Sequence, residues 1–310
     1  MTSWILLAVI AQFFYATVSL LDKYIVTSGK IARPARFAFY IGLLSSLTIL
    51  VFAFGWIKLP FENIQIPSYK NVSTPSFKVI VLSLLSAMTF ISALVSLFSA
   101  LKKADASDVI PVVGSMSAVF SLLLSVVFFG SALTPNFLIG AVTLIVGSLL
   151  VSLFHFGRKV LLFSVVAGFL FALHYSFIKL VFNETVFDNG FFWTRIAIAV
   201  VSLTLFLSLK NDKKTENHGR QKRHVEVGWV LLDKAIGGIA GLLSLKAIQL
   251  GSVPIVQALG SLQFAFLLIF ALFWGNKTPY ACGENCSSRQ RLQKTISIFV
   301  IIIGFFFLFI

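Results

Sequence analysis

Charged residues are scarce in this 310-residue chain, where they make up 12% of the sequence against 58% for hydrophobic residues. A soluble globular protein has about a quarter charged residues, so this chain lacks the polar surface that a water-exposed fold needs. Its two cysteines are too few for a disulfide framework. The composition therefore excludes a cytosolic enzyme, a secreted disulfide scaffold and a disordered chain, and it predicts an integral membrane protein.

Motifs of metal-dependent and serine hydrolases are absent as well. The sequence contains neither HExxH nor GxSxG, and its four histidines are scattered at positions 155, 174, 218 and 224. Cys282 and Cys286 lack the CxxC spacing of a zinc site. In a loop that we expect to be cytoplasmic, they should be free thiols. We accordingly predict no catalytic activity, no metal and no cofactor.

Ten apolar segments are long enough to cross a bilayer, which takes roughly 20 residues in a helix. No segment shows the alternating pattern of an outer-membrane barrel strand. The sequence therefore predicts an all-α membrane protein with ten transmembrane helices. The predicted spans are 4–21, 37–57, 79–101, 109–129, 137–156, 160–182, 191–209, 228–250, 253–274 and 295–310.

Basic residues fall mainly on one side of these spans. The loops after spans 1, 3, 5, 7 and 9 hold 18 Lys and Arg, whereas the opposite side holds only Lys58, Lys70 and Lys78. The positive-inside rule then places the odd-numbered loops in the cytoplasm, and we expect a bacterial-type plasma membrane. The basic loops should contact anionic lipid headgroups, and we expect no nucleic-acid partner.

The second half of the sequence repeats the first. Span 1 aligns with span 6 at an offset of 156, spans 3 and 4 align with spans 8 and 9 at 145, and Gly147 aligns with Gly304 at 157. Each half holds an odd number of spans, so the second copy enters the membrane from the other side. This predicts two inverted five-helix repeats, 1–156 and 157–310, with a 13-residue insertion at 280–292.

The motifs within these repeats point to a known family. Ala100-Leu101 is followed by Ala106-Ser107 and by the run FFGSALT at 128–134, and the second half repeats the last motif as FWGNKT at 273–278. This pattern resembles the EamA repeat of the drug/metabolite transporter superfamily. The resemblance implies a ten-span transporter in which spans 1–4 and 6–9 line a central pathway, while spans 5 and 10 support it.

Polar side chains inside the spans are the candidates for a substrate site, because each needs a partner, a hydrated cavity or an interface. Spans 1 and 6 carry polar stripes at helical spacing, and as repeat partners these stripes should meet around a central cavity. Spans 8 and 9 add a charged pair and two glutamines. The candidate substrate-binding residues are Gln12, Tyr15, Ser19, His174, Tyr175, Lys179, Asp233, Lys234, Gln257 and Gln263.

Structural alternatives stand beside these assignments. Lys179 near a helix end and Arg195 near the start of span 7 could extend to the interface. Adjacent helical residues point about 100° apart, so we expect Asp233 and Lys234 not to pair with each other, and one of them to neutralise Arg195 or Lys179. The glutamines could equally join neighbouring helices.

Taken together, the sequence predicts a secondary transporter that moves a small organic metabolite by alternating access through a cavity between the repeats. Three alternatives remain: a flippase for a lipid-linked sugar, an exchanger of nucleotide-linked sugars, and a non-transporting scaffold or accessory subunit. Span 10, with Phe305, Phe306, Phe307 and Phe309, suits a lipid-facing or homodimer-facing position.

Overall fold

A computed structural model describes the protein over residues 3–26, 34–57, 65–104, 106–130, 135–151, 157–210, 227–274 and 288–307. This part of the chain is mostly helical and contains no strand. The helices are α1 Ser3–Val26, α2 Pro34–Ser46, α3 Phe77–Leu101, α4 Ala106–Phe129, α5 Pro135–Val151, α6 Arg158–Glu184, α7 Phe187–Lys210, α8 Val227–Leu250, α9 Val253–Leu259, α10 Leu262–Trp274 and α11 Ser288–Phe307. Two 3-10 helices cover Leu47–Phe54 and Tyr69–Asn71.

Each predicted span overlaps one or two of these helices, and the protein is an all-α membrane protein. Five helical segments among the described residues are long and apolar enough to cross a bilayer. Shorter apolar segments lie within α1, α5, α9–α10 and α11, and α8 carries charged residues inside its length. The five qualifying segments are Pro34–Phe54, Phe77–Leu101, Val109–Phe129, Arg158–Glu184 and Phe187–Ser208.

Some predicted spans differ from the observed helices. Span 2 tightens into the 3-10 helix Leu47–Phe54 after α2 ends. Span 9 was predicted to be continuous, but it breaks at Gly260 and Ser261 between α9 and α10. Helix α11 begins at Ser288 and so includes the last residues of the predicted insertion 280–292.

Several sequence features lie outside the described residues. These are the basic loop 211–226, Cys282 and Cys286, the insertion up to residue 287, and the repeat-closing motifs at 131–134 and 275–278.

Helices from the two halves of the chain pack against each other to form the bundle. The most extensive contacts join α3 to α6, α5 to α11, α4 to α6 and α1 to α8. Buried alanines lie in these helices, including Ala8 and Ala11 on α1, Ala167 on α6 and Ala247 on α8. Small side chains let helix backbones approach closely, which is how membrane helices gain packing energy.

Glycines allow a close approach of the backbones at the crossing of α5 and α11. A Cβ added at Gly147 would lie 3.0 Å from the backbone nitrogen of Ile301, and one at Gly304 would lie 2.8 Å from that of Leu144. These two glycines are the pair that align at an offset of 157. The crossing therefore depends on the missing side chains at both positions.

The segment between the 3-10 helix Leu47–Phe54 and α3 is attached to the start of α7. The Ser68 N–H and the Asn71 amide donate hydrogen bonds to Asp188 Oδ2, at 3.2 and 2.7 Å. The Ser73 N–H donates to Asn189 Oδ1 at 3.0 Å. These bonds cover the end of the bundle where α6 ends and α7 begins.

A lysine from α6 holds the carboxyl end of α8. Lys179 Nζ donates hydrogen bonds to the carbonyl oxygens of Ile248, Gln249 and Gly251, at 3.0, 2.7 and 2.9 Å. The last carbonyls of a helix have no partner within the helix and carry a partial negative charge. Lys179 therefore compensates both the unpaired carbonyls and the helix dipole.

We predict that Gly304→Ala lowers the free energy of unfolding by ~1–3 kcal/mol, because the new methyl group would collide with backbone rather than with a movable side chain. The matched control is Gly114→Ala, since a Cβ at Gly114 meets nothing within 4 Å. Thermal melts of the detergent-solubilised variants check both. A Gly304→Ala protein as stable as wild type would show that α5 and α11 are not in backbone contact.

We further predict that Lys179→Met lowers the free energy of unfolding by about 2–4 kcal/mol, because three carbonyls lose a charged donor. Lys70→Met, at an exposed lysine, is the control and should melt at the wild-type temperature. If the two variants melt at the same temperature, the hydrogen bonds from Lys179 to the end of α8 contribute nothing to stability.

Candidate functional site

A cavity of about 460 Å³ lies among the helices. This volume falls in the range of about 300–1,000 Å³ that is usual for small-molecule sites. Helices α1 to α5 of the first half and α6 to α10 of the second half all contribute wall residues. Span 5 was expected only to support the pathway, but Ile145 and Ser148 of α5 also line the cavity.

Most of the predicted candidates border this cavity. Two do not: Ser19 and Lys179 lie outside the wall, and Lys179 instead holds the end of α8. The candidates that line the cavity are Gln12, Tyr15, His174, Tyr175, Asp233, Lys234, Gln257 and Gln263.

The tyrosines of the two polar stripes share the cavity. Tyr15 on α1 and Tyr175 on α6 both line it, although the main packing partners of α1 are α8 and α10. Glycines of α8 leave room beside them, and a Cβ placed at Gly241 would lie 3.6 Å from the Tyr15 hydroxyl. The stripes of spans 1 and 6 therefore border one space without packing directly on each other.

The two glutamines join helices as well as lining the cavity. Gln263 Nε2 donates a hydrogen bond to Ser19 Oγ at 2.6 Å, which ties α10 to α1. The Ser117 hydroxyl donates to Gln257 Oε1 at 3.2 Å, which ties α4 to α9. The contacts of both glutamines thus include the helix-joining role that was the alternative to ligand binding.

His174 is held in one orientation by α3. Its Nδ1 lies 2.9 Å from both the carbonyl oxygen and the hydroxyl of Ser86, and its ring packs on Phe90. A carbonyl oxygen can only accept a hydrogen bond, so Nδ1 carries a hydrogen and donates a hydrogen bond to the Ser86 carbonyl oxygen. The His174 ring therefore has a fixed orientation in the cavity wall.

Asp233 and Lys234 form an ion pair with each other, so the prediction that they cannot pair was wrong. Lys234 Nζ lies 2.6 Å from Asp233 Oδ2. The two Cα–Cβ bonds do diverge, but the four-carbon stem of lysine is long enough to bring its ammonium back to the neighbouring carboxylate. Asp233 is fully buried, and neither of its carboxylate oxygens has a hydrogen-bond partner among the described residues, so its contact with Lys234 is an ion pair without hydrogen-bond geometry.

Arg195 lines the cavity, although the sequence placed it at the membrane interface. Its side chain is only 7% exposed, so the interpretation that it extends to the interface was wrong. Helix α7 begins at Phe187, one turn earlier than predicted, which places Arg195 deeper in the bundle. Nη1 donates a hydrogen bond to Ser45 Oγ at 3.0 Å, and the guanidinium lies over the Phe191 ring at 4.9 Å.

Within the described ranges, no group of three or more His, Cys, Asp or Glu side chains is placed to hold a metal ion.

Comparison with known proteins identifies the family. The sequence profile of the EamA-like transporter family matches residues 2–153. Among solved structures, one crystal structure superposes with a TM-score of 0.63 at 16% sequence identity, over 97% of this chain and 96% of the other, which shows a shared fold. No curated protein sequence matches the chain at a significant level. Residues 2–153 of the chain therefore match the EamA-like transporter family, which belongs to the drug/metabolite transporter superfamily.

Proposed function

We propose that this membrane protein is a secondary transporter that moves a small organic metabolite by alternating access. The observation that carries the proposal is the cavity of about 460 Å³, whose wall combines apolar and polar side chains from both halves of the chain. A space of this size with a few polar groups is suited to one small solute. The solute would lie between two groups of helices that can move relative to each other.

The packing pattern supports an inverted-repeat architecture for this mechanism. Suppose that α1 corresponds to α6 and α3 to α8. The α3–α6 contact and the α1–α8 contact are then equivalent contacts between the two halves, related by the symmetry of the repeat. The α5–α11 contact joins one repeat position to its own counterpart. We therefore propose two inverted five-span repeats, 1–156 and 157–310, that enclose the solute between them.

A broken helix at the cavity is a second support. The break between α9 and α10 places Gly260 and Ser261 in the wall, next to Gln257. Irregular backbone is tolerated at membrane depth where it is buried in protein or lines a cavity. Transporters use such discontinuous helices to present backbone groups to their solutes.

The scaffold alternative would be favoured by a fully packed core, but this core contains the cavity.

We propose transport rather than catalysis. On the charge bias we also propose that the odd-numbered loops face the cytoplasm from a plasma membrane, where they contact anionic lipids. A homodimer formed through α11 would complete this arrangement.

To test the proposal, we predict that Gly114→Leu abolishes transport without unfolding the protein. Gly114 lines the cavity, and a Cβ there meets nothing within 4 Å, so the leucine side chain would occupy the space of the solute. The substrate for the assay comes from a thermal-shift screen of the purified protein against a metabolite library. Uptake of the best hit into proteoliposomes is then measured.

Two controls accompany this variant. Gly114→Ala should retain uptake because its methyl group leaves most of the cavity open, and Val142→Leu changes an exposed side chain outside the wall. A well-folded Gly114→Leu protein that transports at the wild-type rate would contradict the proposed pathway.

A further inference from the structure

The charges that line the cavity do not balance. Three ionised side chains of the described residues are in its wall: Arg195, Asp233 and Lys234. Asp233 and Lys234 pair with each other at 2.6 Å. No carboxylate in the described ranges forms an ion pair with Arg195, so the wall carries one positive charge in excess.

Arg195 is also deep in the protein. It is the ninth residue of α7, and at 1.5 Å per residue it lies about 12 Å along the helix from its start. Its side chain is 93% buried, and its Nε has no hydrogen-bond partner among the residues that the structure describes. A buried cation of this kind is unfavourable unless an anion compensates it.

The contacts that Arg195 does make orient it without neutralising it. Ser45 accepts one hydrogen bond from Nη1, and the Phe191 ring lies against the guanidinium plane. A neutral hydroxyl and an aromatic face fix the position of the guanidinium, but neither supplies a negative charge. A guanidinium held in this way is suited to bind a carboxylate or a phosphate through two parallel hydrogen bonds.

The rest of the wall indicates what the anion is attached to. Leu94, Phe171, Leu242 and Phe264 line the cavity with apolar surface, while Tyr15 and Tyr175 can donate hydrogen bonds from their hydroxyls. A solute with an apolar body of moderate size would contact the apolar residues. Neutral polar substituents of the solute would contact the two tyrosine hydroxyls.

We infer that Arg195 binds the acidic group of the transported solute, so that the substrate is an organic anion with an apolar body. This inference rests on the proposed transport function and names its substrate class. The shared chemistry is an anionic oxygen pair, supplied by either a carboxylate or a phosphate monoester. The Asp233–Lys234 pair leaves the positive charge of Arg195 for this group.

The test measures binding to the purified protein by calorimetry, with three probes that share a phenyl ring: phenylacetate, its neutral amide phenylacetamide, and phenyl phosphate. We expect at least one of the two anions to bind about ten- to a hundredfold more tightly than the amide, the gain typical of a hydrogen bond to a charged group. Whichever anion binds more tightly identifies the acidic group.

Variants assign this preference to Arg195. Arg195→Gln should bind the anion no better than the amide. Arg195→Lys should retain part of the preference, because it keeps the positive charge but loses the planar guanidinium that donates two parallel hydrogen bonds. Lys70→Gln removes an exposed cation outside the wall and should bind like wild type. A melting curve of each variant shows whether it is folded.

A measurement on the wild-type protein covers the case in which Arg195→Gln does not fold. Phenylglyoxal modifies arginine side chains, and mass spectrometry reports the rate at Arg195. Phenylacetate or phenyl phosphate should slow this modification at least several-fold, whereas phenylacetamide should not.

Equal binding of the anions and the amide, an unchanged preference in Arg195→Gln, or unprotected modification of Arg195 would each overturn the inference. Uptake of a neutral solute would then still support the transport function. Conversely, Arg195-dependent anion binding without any solute uptake would contradict transport and leave the anion site standing.

Discussion

A charged side chain buried between apolar helices is strongly unfavourable unless a neighbouring group compensates it. In this protein most of the intramembrane charges have such a group close by. Lys179 donates to the carbonyls at the end of α8, Asp233 pairs with Lys234, and Lys246 lies 4.4 Å above the Phe187 ring. Arg195 contacts a hydroxyl and an aromatic ring, but it has no carboxylate partner among the residues that the structure describes. That difference separates charges that hold the bundle together from the one that we assign to the solute.

Close helix packing is what makes the cavity a defined space rather than a loose gap. The α5–α11 crossing brings backbones together at Gly147 and Gly304, and buried alanines do the same along α1, α6 and α8. The glutamine–serine hydrogen bonds then connect α1 to α10 and α4 to α9 across the two halves.

The sequence predicted the positions of the helices because long apolar runs and helical polar stripes are local signals. It also brought most of the cavity residues together, since Tyr15 and Tyr175 lie on helices that share one space. Lys179 could not be assigned correctly, because its partners are backbone carbonyls 69 to 72 residues away that no side-chain pattern reveals.

Arg195 and the Asp233–Lys234 pair were misjudged for local geometric reasons. The start of α7 at Phe187 follows a polar segment, so apolarity alone placed the span one turn late and Arg195 too near the surface. The Asp233–Lys234 prediction considered the directions of the Cβ atoms and neglected the reach of the lysine stem. The break at Gly260 and Ser261 did have a signal in sequence, since glycine next to serine weakens a helix.

Alternating access requires that water reach the cavity from both sides of the membrane, and cysteine labelling measures this access. Gly241→Cys places a thiol in the wall beside Tyr15, in a background that carries Cys282→Ser and Cys286→Ser. A membrane-impermeant methanethiosulfonate reagent is applied to right-side-out and to inside-out vesicles. The control is Val142→Cys, at an exposed position outside the cavity wall. We expect labelling of Gly241→Cys from each side and no labelling of Val142→Cys. Labelling from one side only, or from neither, would contradict alternating access through this cavity.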